Sequence, residues 1–319
     1  MEMILFDENF REIGPTTFNL DMEIGENATN DFSTDQKTNI GHGFYVPGTE
    51  IGGLFEEKDS VSSNSDETAR GFSWRGLLTQ SIIEPPAGAD YKTVSGELNS
   101  IISSITSPIL GGLFSVSSDS TGVNVSNFQF NRYCNVLEGL SALLRSKGYR
   151  LNIEAVKNSV EKKVIPVLSA VPAVTIDGAF DSDSGLKLRF KQSKMGINHL
   201  ICIGKGDLKD RQRIDLYVQA DGSIGKTKYY TGLEERTAVF DYSAAESLQD
   251  LETQGIKRLE ELKSKNTLSI EKAPANLWIG DRVRGVHREA GIDITANVTK
   301  IIIRVSNGIS SFETKTEEL

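Results

Sequence analysis

Two carboxylates on either side of a bond are the machinery of most glycosidases, and this sequence offers three close acid pairs, Glu56-Glu57, Asp181-Asp183 and Asp207-Asp210. Each pair sits in a turn-rich stretch where acids are normally solvated, and aromatics make up only 8% of the chain, few for a sugar-binding cleft. Plain turns are therefore expected, and not a hydrolase. The run D-S-D-S-G at 181–185, with Asp221, has the oxygen donors a calcium loop needs, but lacks the remaining spacing and terminal Glu of an EF-hand. G-K-G-D at 204–207 follows an apolar strand, as a phosphate loop does. Lys205 stands between the glycines, however, no Lys-Ser or Lys-Thr follows, and the next segment reads as a strand, so a hairpin turn is expected. His42, His199 and His287 have no second ligand at metal spacing, and His199 is expected at the wet end of a strand. No G-x-S-x-G elbow surrounds Ser73. No catalytic residue, cofactor or metal site is expected.

The elements that would position such groups come from a chain of 319 residues, 38% hydrophobic and 25% charged, enough for two or three domains with cores of their own. No apolar run reaches membrane-spanning length, and the acidic start MEMILFDENF is not a secretory signal. A net charge of -9 disfavours non-specific nucleic-acid binding. Cys134 and Cys202 fall on apolar faces and read as buried thiols of a reducing compartment.

Residues 1–83 alternate short apolar runs with Gly, Asn, Asp and Pro, a strand pattern; Phe18, Leu20, Met22 and Ile24 share one face. The polar string from Asp59 to Gly71 reads as a hairpin tip or exposed loop. Phe72, Trp74, Leu77 and Leu78 gather large apolar groups that Ile82 and Ile83 continue and Pro85-Pro86 terminates. Trp74 and Trp278, both in apolar runs read as strands, are expected in the core. Helical stripes follow: Val94, Leu98, Ile101, Ile102 and Ile105 within 91–111, then Tyr133, Val136, Leu137, Leu140, Leu143 and Leu144 within 128–148. Strands are expected at 151–153 and 163–176 around a helix-like 154–162, and again in LKLRF, NHLICIG, RIDLYVQ and KTKYYTG. A helix from Ser243 to Lys265, capped by Ser243 with Glu246, precedes the last strands and a frayed tail, KTEEL.

Three motifs carry a resemblance. Trp74, Arg75, Gly76, Leu77 and Leu78, followed by I-I-E with Pro85 and Pro86, resemble the N-terminal module of the tail hub family of long-tailed bacteriophages and of prophages of Gram-positive hosts. The stretch 198–211, an apolar strand with Gly204, Gly206 and Arg211, is similar to a second motif of that family, and W-I-G-D-R-V at 278–283, with Gly280 and Asp281, to a third. The order of the three matches the family's.

The resemblance implies an α+β, mainly β fold: two small β-barrels with inserted α+β modules, as in baseplate hubs of contractile tails. The first barrel would be 1–88, the α+β module with two helices 89–180, and the second barrel 181–242 with 266–319, while the helix 243–265 would pack back on the module. It implies a homotrimer whose barrels form a ring, matching a sixfold tube to a threefold tip. Tail-tube, distal tail, tape-measure and receptor-binding proteins would be its partners, without a cofactor or membrane span. Its place would be the virion tail tip, after synthesis in the host cytoplasm. Relatives often extend into a peptidoglycan hydrolase, for which this chain has no counterpart motif. The alternative is a carbohydrate- or cell-wall-binding β module.

Overall fold

Alternating burial runs along much of this chain: Leu20, Met22 and Ile24 point inward from one stretch and Leu151, Ile153 and Ala155 from another, the period of strands with one covered face. The computed structural model describes residues 1–26, 28–60, 67–158, 162–179, 187–191, 193–264, 267–272, 277–287 and 292–318. In chain order the elements are β1 (Met3–Phe6), β2 (Glu12–Thr16), β3 (Leu20–Gly25), β4 (Asp31–Thr34), β5 (Gly43–Tyr45), β6 (Gly52–Ser60), β7 (Glu67–Ser73), α1 (Trp74–Thr79), β8 (Thr93–Glu97), α2 (Leu98–Ile109), β9 (Ser115–Val116), β10 (Asn124–Gln129), α3 (Val136–Arg145), β11 (Tyr149–Lys157), β12 (Val164–Pro172) and β13 (Thr175–Ala179). They continue as β14 (Lys187–Lys191), β15 (His199–Ile203), β16 (Arg213–Val218), β17 (Ile224–Gly225), β18 (Thr237–Asp241), α4 (Leu248–Leu262), β19 (Thr267–Lys272), β20 (Arg282–His287), β21 (Ile292–Ser306) and β22 (Ile309–Glu318).

The largest sheet takes strands from both ends of the chain, in the order β14-β19-β22-β21-β3-β4-β7-β6-β5-β1-β2, with β20 beside β21 and β13 beside β20. The length of β21 makes this possible. Residues 292–297 pair with β20, residues 300–305 pair with β3, and the other edge pairs with β22. Smaller sheets are β10-β8, β11-β12-β9 and β17-β16-β15-β18. Among the described residues the fold is mainly β with four helices, and none of the sheets closes on itself into a barrel. No helix among them is long and apolar enough to cross a membrane.

The chain divides into two units, residues 1–189 with 268–319, and residues 190–267. In the first, one core cluster runs from Phe6, Tyr45 and Trp74 through the inner faces of α2 and α3 to Leu151, Leu168 and Ala170, while Met22, Ile24, Phe32, Phe44 and Phe55 are buried outside that cluster. That cluster draws on residues from both sides of position 88. In the second, α4 lays Leu251 and Leu259 on Leu200, Cys202 and Leu216 of its own sheet, where the expectation had it packing on the α+β module. The last strands, expected in one barrel with 181–242, do keep β14 (Lys187–Lys191) beside β19, but the sheet also runs on from β21 to β3 at the start of the chain, which pairs with residues 300–305 beyond the stretch that β20 takes.

Local readings shift for identifiable reasons. The Trp74 run is a short helix, because the Ser73 hydroxyl accepts from Gly76 N at 3.1 Å and caps it. Val94 and Phe128 lie in β8 and β10, so the two central helices start later than their stripes, and Tyr133 is 57% exposed. Residues 154–157 continue β11, paired with β12, where a helix was expected; residues 159–161 of that stretch lie outside the described ones. KTKYYTG is not a strand, and the tail to Glu318 is paired on β21 as far as Ala296 rather than frayed. The N-cap of α4 is Ser247, whose hydroxyl accepts from Asp250 N at 3.1 Å, while Asp250 accepts from Glu246 N at 3.2 Å. Of the stretch 59–71 expected as a hairpin tip or exposed loop, residues 59–60 and 67–71 are strand, in β6 and β7, which pair with each other, and residues 61–66 lie outside the described ones.

Candidate functional site

Glu50 sits in the turn that Val46 N and Ile51 O close at 2.8 Å between β5 and β6. Its carboxylate meets the guanidinium of Arg75, second residue of α1: Arg75 Nε donates to Oε1, and Nη2 donates to Oε2 at 2.9 Å. Nη2 also reaches the Leu151 carbonyl at 3.3 Å. Trp278 Nε1 supplies a further donor to Glu50 Oε2 at 2.7 Å. Both charged side chains are 1% exposed, so the pair holds its charges only because bidentate geometry and extra hydrogen bonds replace the lost water. Trp74 beside it stacks on Phe6 with ring centres 5.8 Å apart. Gly76 has no room for a side chain, since a Cβ there would collide with the Asn30 carbonyl. Leu77 and Leu78 are buried in the same core, Pro85 is half-buried and Pro86 exposed.

The third motif is anchored next to this pair. Asp281 is fully buried and accepts from Arg150 Nε at 2.9 Å, from Val174 N at 2.9 Å and from Trp278 N at 2.7 Å. Gly280 turns the chain at φ +90°, and a Cβ would stand 2.6 Å from Arg150 Cβ. The structure thus links Arg75 and Asp281, which sequence reading singled out, through Trp278, whose Nε1 donates to Glu50 and whose N donates to Asp281; the partners Glu50 and Arg150 were not singled out. Glu50 carried no signal beyond being an acid in a turn. Beside the network lies a cavity of about 570 Å³, bordered by Glu50, Arg150, Glu154, Trp278 and Phe312. Trp278, expected in the core, is half-buried on its wall.

The second motif belongs to the other unit, as the hairpin connection between β15 and β16. Gly204 is buried and Gly206 exposed; Arg211 donates to Gly204 O at 2.9 Å and, through Nη1, to Asp241 Oδ2 at 2.8 Å, tying the turn to the end of β18. The hydrogen bond from Arg211 holds the Asp241 carboxyl below its usual range. The turn is a clasp and its lysine faces solvent, as the hairpin expectation has it.

The other candidates are dispersed. Glu56, Glu57, Asp207 and Asp210 are exposed, and Asp181 and Asp183 lie outside the described residues. Asp221 accepts from Ser223 N at 3.0 Å and from its hydroxyl at 2.6 Å, a plain turn. Among the described residues no group of three or more His, Cys, Asp or Glu is arranged to hold a metal ion. Cys134 and Cys202 are free and buried; burial raises both thiols, Cys202 to about 11. His42 contacts Glu8 at 3.1 Å. His199 corrects the expectation of a wet strand end: it is 8% exposed and faces Asp215 and Glu235, each at 2.8 Å. Neither acid is near it in sequence, which hid the cluster.

No family model matches the chain, and no curated protein matches it. Over 99% of its length the chain is similar to the solved structures of a tail protein from Neisseria meningitidis (14% identity, 96% of that chain covered, TM-score 0.48) and a prophage tail protein from Shewanella oneidensis (12%, 98%, 0.49). It is likewise similar, over 99% of its length, to a chain of the phage P2 baseplate in its activated conformation (10% identity, 98% of that chain covered, TM-score 0.49).

Proposed function

We propose that this chain is a structural component of a bacteriophage or prophage tail, a hub at the tail tip or baseplate. One observation carries the reading: the residues through which the sequence resembles tail hubs are used to hold the fold together. Arg75 of the first motif and Trp278 of the third converge on the buried Glu50, and Asp281 of the third binds Arg150. The motifs describe an architecture, and a hub's task is architectural. In this reading the β strands form the barrel layers of a homotrimeric ring that continues the tail tube and mounts adsorption proteins. Tube, distal tail, tape-measure and receptor-binding proteins are its partners, the virion is its place, and neither cofactor nor catalysis is involved. Light scattering over a concentration series, alone and with a tail-tube or distal tail protein, tests it. A trimer in either series is expected; a monomer in both overturns the ring.

A second reading rests on the cavity beside Glu50. Half-buried Trp278 and exposed Phe312 give it apolar walls, with Glu154 and Asn152 as polar groups, the composition of a small sugar site. Binding of cell-wall glycans, lost on Trp278→Ala in a folded variant, would favour it; no binding to a glycan panel removes it.

A further inference from the structure

His199 opens β15 on the sheet face opposite α4, which covers Leu200, Cys202 and Leu216. Its Nδ1 lies 2.8 Å from Glu235 Oε1 and its Nε2 lies 2.8 Å from Asp215 Oδ1. A carboxylate only accepts hydrogen bonds, so with both contacts made both ring nitrogens donate and the ring is an imidazolium. The Tyr217 ring stacks on it at 4.4 Å and 24°, a further contact that suits a cation. The carboxylates are themselves anchored. Arg213 donates twice to Asp215 at 2.9 Å, and Lys228 pairs with Glu235 at 2.7 Å. Arg213 and then His199 hold the Asp215 carboxyl below its usual range, against burial, and Lys228 and His199 do the same for Glu235.

The neutral ring has its own partner waiting. Thr237 Oγ1, on the adjacent strand β18, is 3.2 Å from Nδ1. Once the Nδ1 proton passes to solvent, Nδ1 becomes an acceptor to which this hydroxyl can donate, while Nε2–H stays on Asp215. Glu235 is then the group that loses, because a bare Nδ1 and a carboxylate oxygen repel at that distance. Glu235 ends the turn Gly232–Glu234, which holds Leu233 fully in solvent at 101% exposure. Beside the Lys228 pair, Asn198 Nδ2 donates to Glu234 O at 2.7 Å, while Arg236, the next residue, is fixed to the sheet by its N donating to Asn198 Oδ1 at 2.8 Å and by its O accepting from Asn198 N and His199 N at 3.0 and 3.1 Å, so the turn at 232–235 hangs from a fixed end.

We propose that His199 is a proton-operated latch: charged, it clamps Glu235 and the turn at 232–235 to the sheet; neutral, it binds Thr237 and releases them. The charged and titratable groups facing the ring are Arg213, Asp215 and Tyr217 from β16, and Lys228 and Glu235 from the stretch before β18; Thr237 on β18 adds only its hydroxyl, and the α4 side presents apolar groups. Protonation therefore fastens the turn and rising pH opens it.

Hydrogen exchange of the full chain, followed over 228–238 at about pH 5.5 and about pH 8 with the intrinsic pH effect removed, tests the latch. Protection of 232–236 falls about tenfold at the higher pH in the wild type, while His199→Gln shows the low protection at both. Equal protection at both pH values in the wild type, or an unchanged pH dependence in His199→Gln, overturns it. Should His199→Gln not fold, Thr237→Val serves: removing the neutral ring's hydrogen bond moves the transition to higher pH, and an unmoved transition overturns the latch. Nitrogen NMR of the wild-type ring reads the same step directly, and Nδ1 still protonated after the turn has opened also refutes it.

Discussion

Trp278 Nε1 donates to Glu50 Oε2 at 2.7 Å across 228 positions of sequence, and Arg75 grips the same carboxylate from the start of α1. One acid thus receives groups from the β5–β6 turn's neighbouring helix and from the segment leading into β20. Because the pair is 1% exposed, removing one member leaves an uncompensated buried charge. Glu50→Ala is expected to cost about 3–5 kcal/mol in urea unfolding, whereas Glu50→Leu with Arg75→Met recovers most of that. Trp278→Phe, which removes one hydrogen bond to a charge, is expected to cost about 1.5–3 kcal/mol.

Two glycines of the resemblance motifs are held by their surroundings. Gly76→Ala drives a methyl into the Asn30 carbonyl, and Gly280→Ala combines φ +90° with a contact at 2.6 Å to Arg150 Cβ. The clash is expected to lower stability by about 1–3 kcal/mol at Gly76, and at Gly280 a backbone strain of about 1–2 kcal/mol adds to a clash of that size. Gly88→Ala, where nothing lies within 4 Å, pays only the backbone strain of about 1–2 kcal/mol. Thermal unfolding of the three variants side by side checks the order.

Burial sets the reactivity of the two thiols. With Cys202 raised to about 11, roughly one thiol in a thousand is thiolate at about pH 8. A chromogenic disulfide is expected to react with neither cysteine over minutes in the native protein and with both in denaturant. A fast native phase would contradict their burial.

Acid should destabilise the first unit through named carboxyls. Burial raises Glu12 and Glu23, but hydrogen bonds from Lys157 and Tyr45 to Glu12, and from Lys300 and Thr29 to Glu23, bring both below the ordinary 4.5. The native state therefore binds fewer protons than the unfolded chain around that pH. Their contribution is complete above about pH 5 and is lost as pH falls through the folded values. Lys157→Gln should flatten the acid limb of a stability–pH curve, and an unchanged limb would rule out the Glu12 contribution.

Much of the local structure was legible because neighbours in sequence carry it. The alternation in Leu20–Ile24 sets a strand face, the stripe Leu98–Ile105 a helix face, and G-K-G-D between two apolar strands a hairpin turn. Short-range reading failed where tertiary context decides between elements. Trp74–Leu78 looks like a strand by composition, yet the Ser73 cap and the close approach of Gly76 to Asn30 make it a helix. Residues 154–157 look helical, but β12 offers a full set of strand partners.

The sequence by itself determined a mainly β chain with a few amphipathic helices and buried thiols, since composition and periodicity are properties of adjacent residues. Only the tertiary structure decided which charges meet. Glu50 with Arg75 and Trp278, Asp281 with Arg150, and His199 between Asp215 and Glu235 are pairings of residues 16 to 228 positions apart. A charge keeps such partners when folding removes the group from water and leaves the partners to stand in for it.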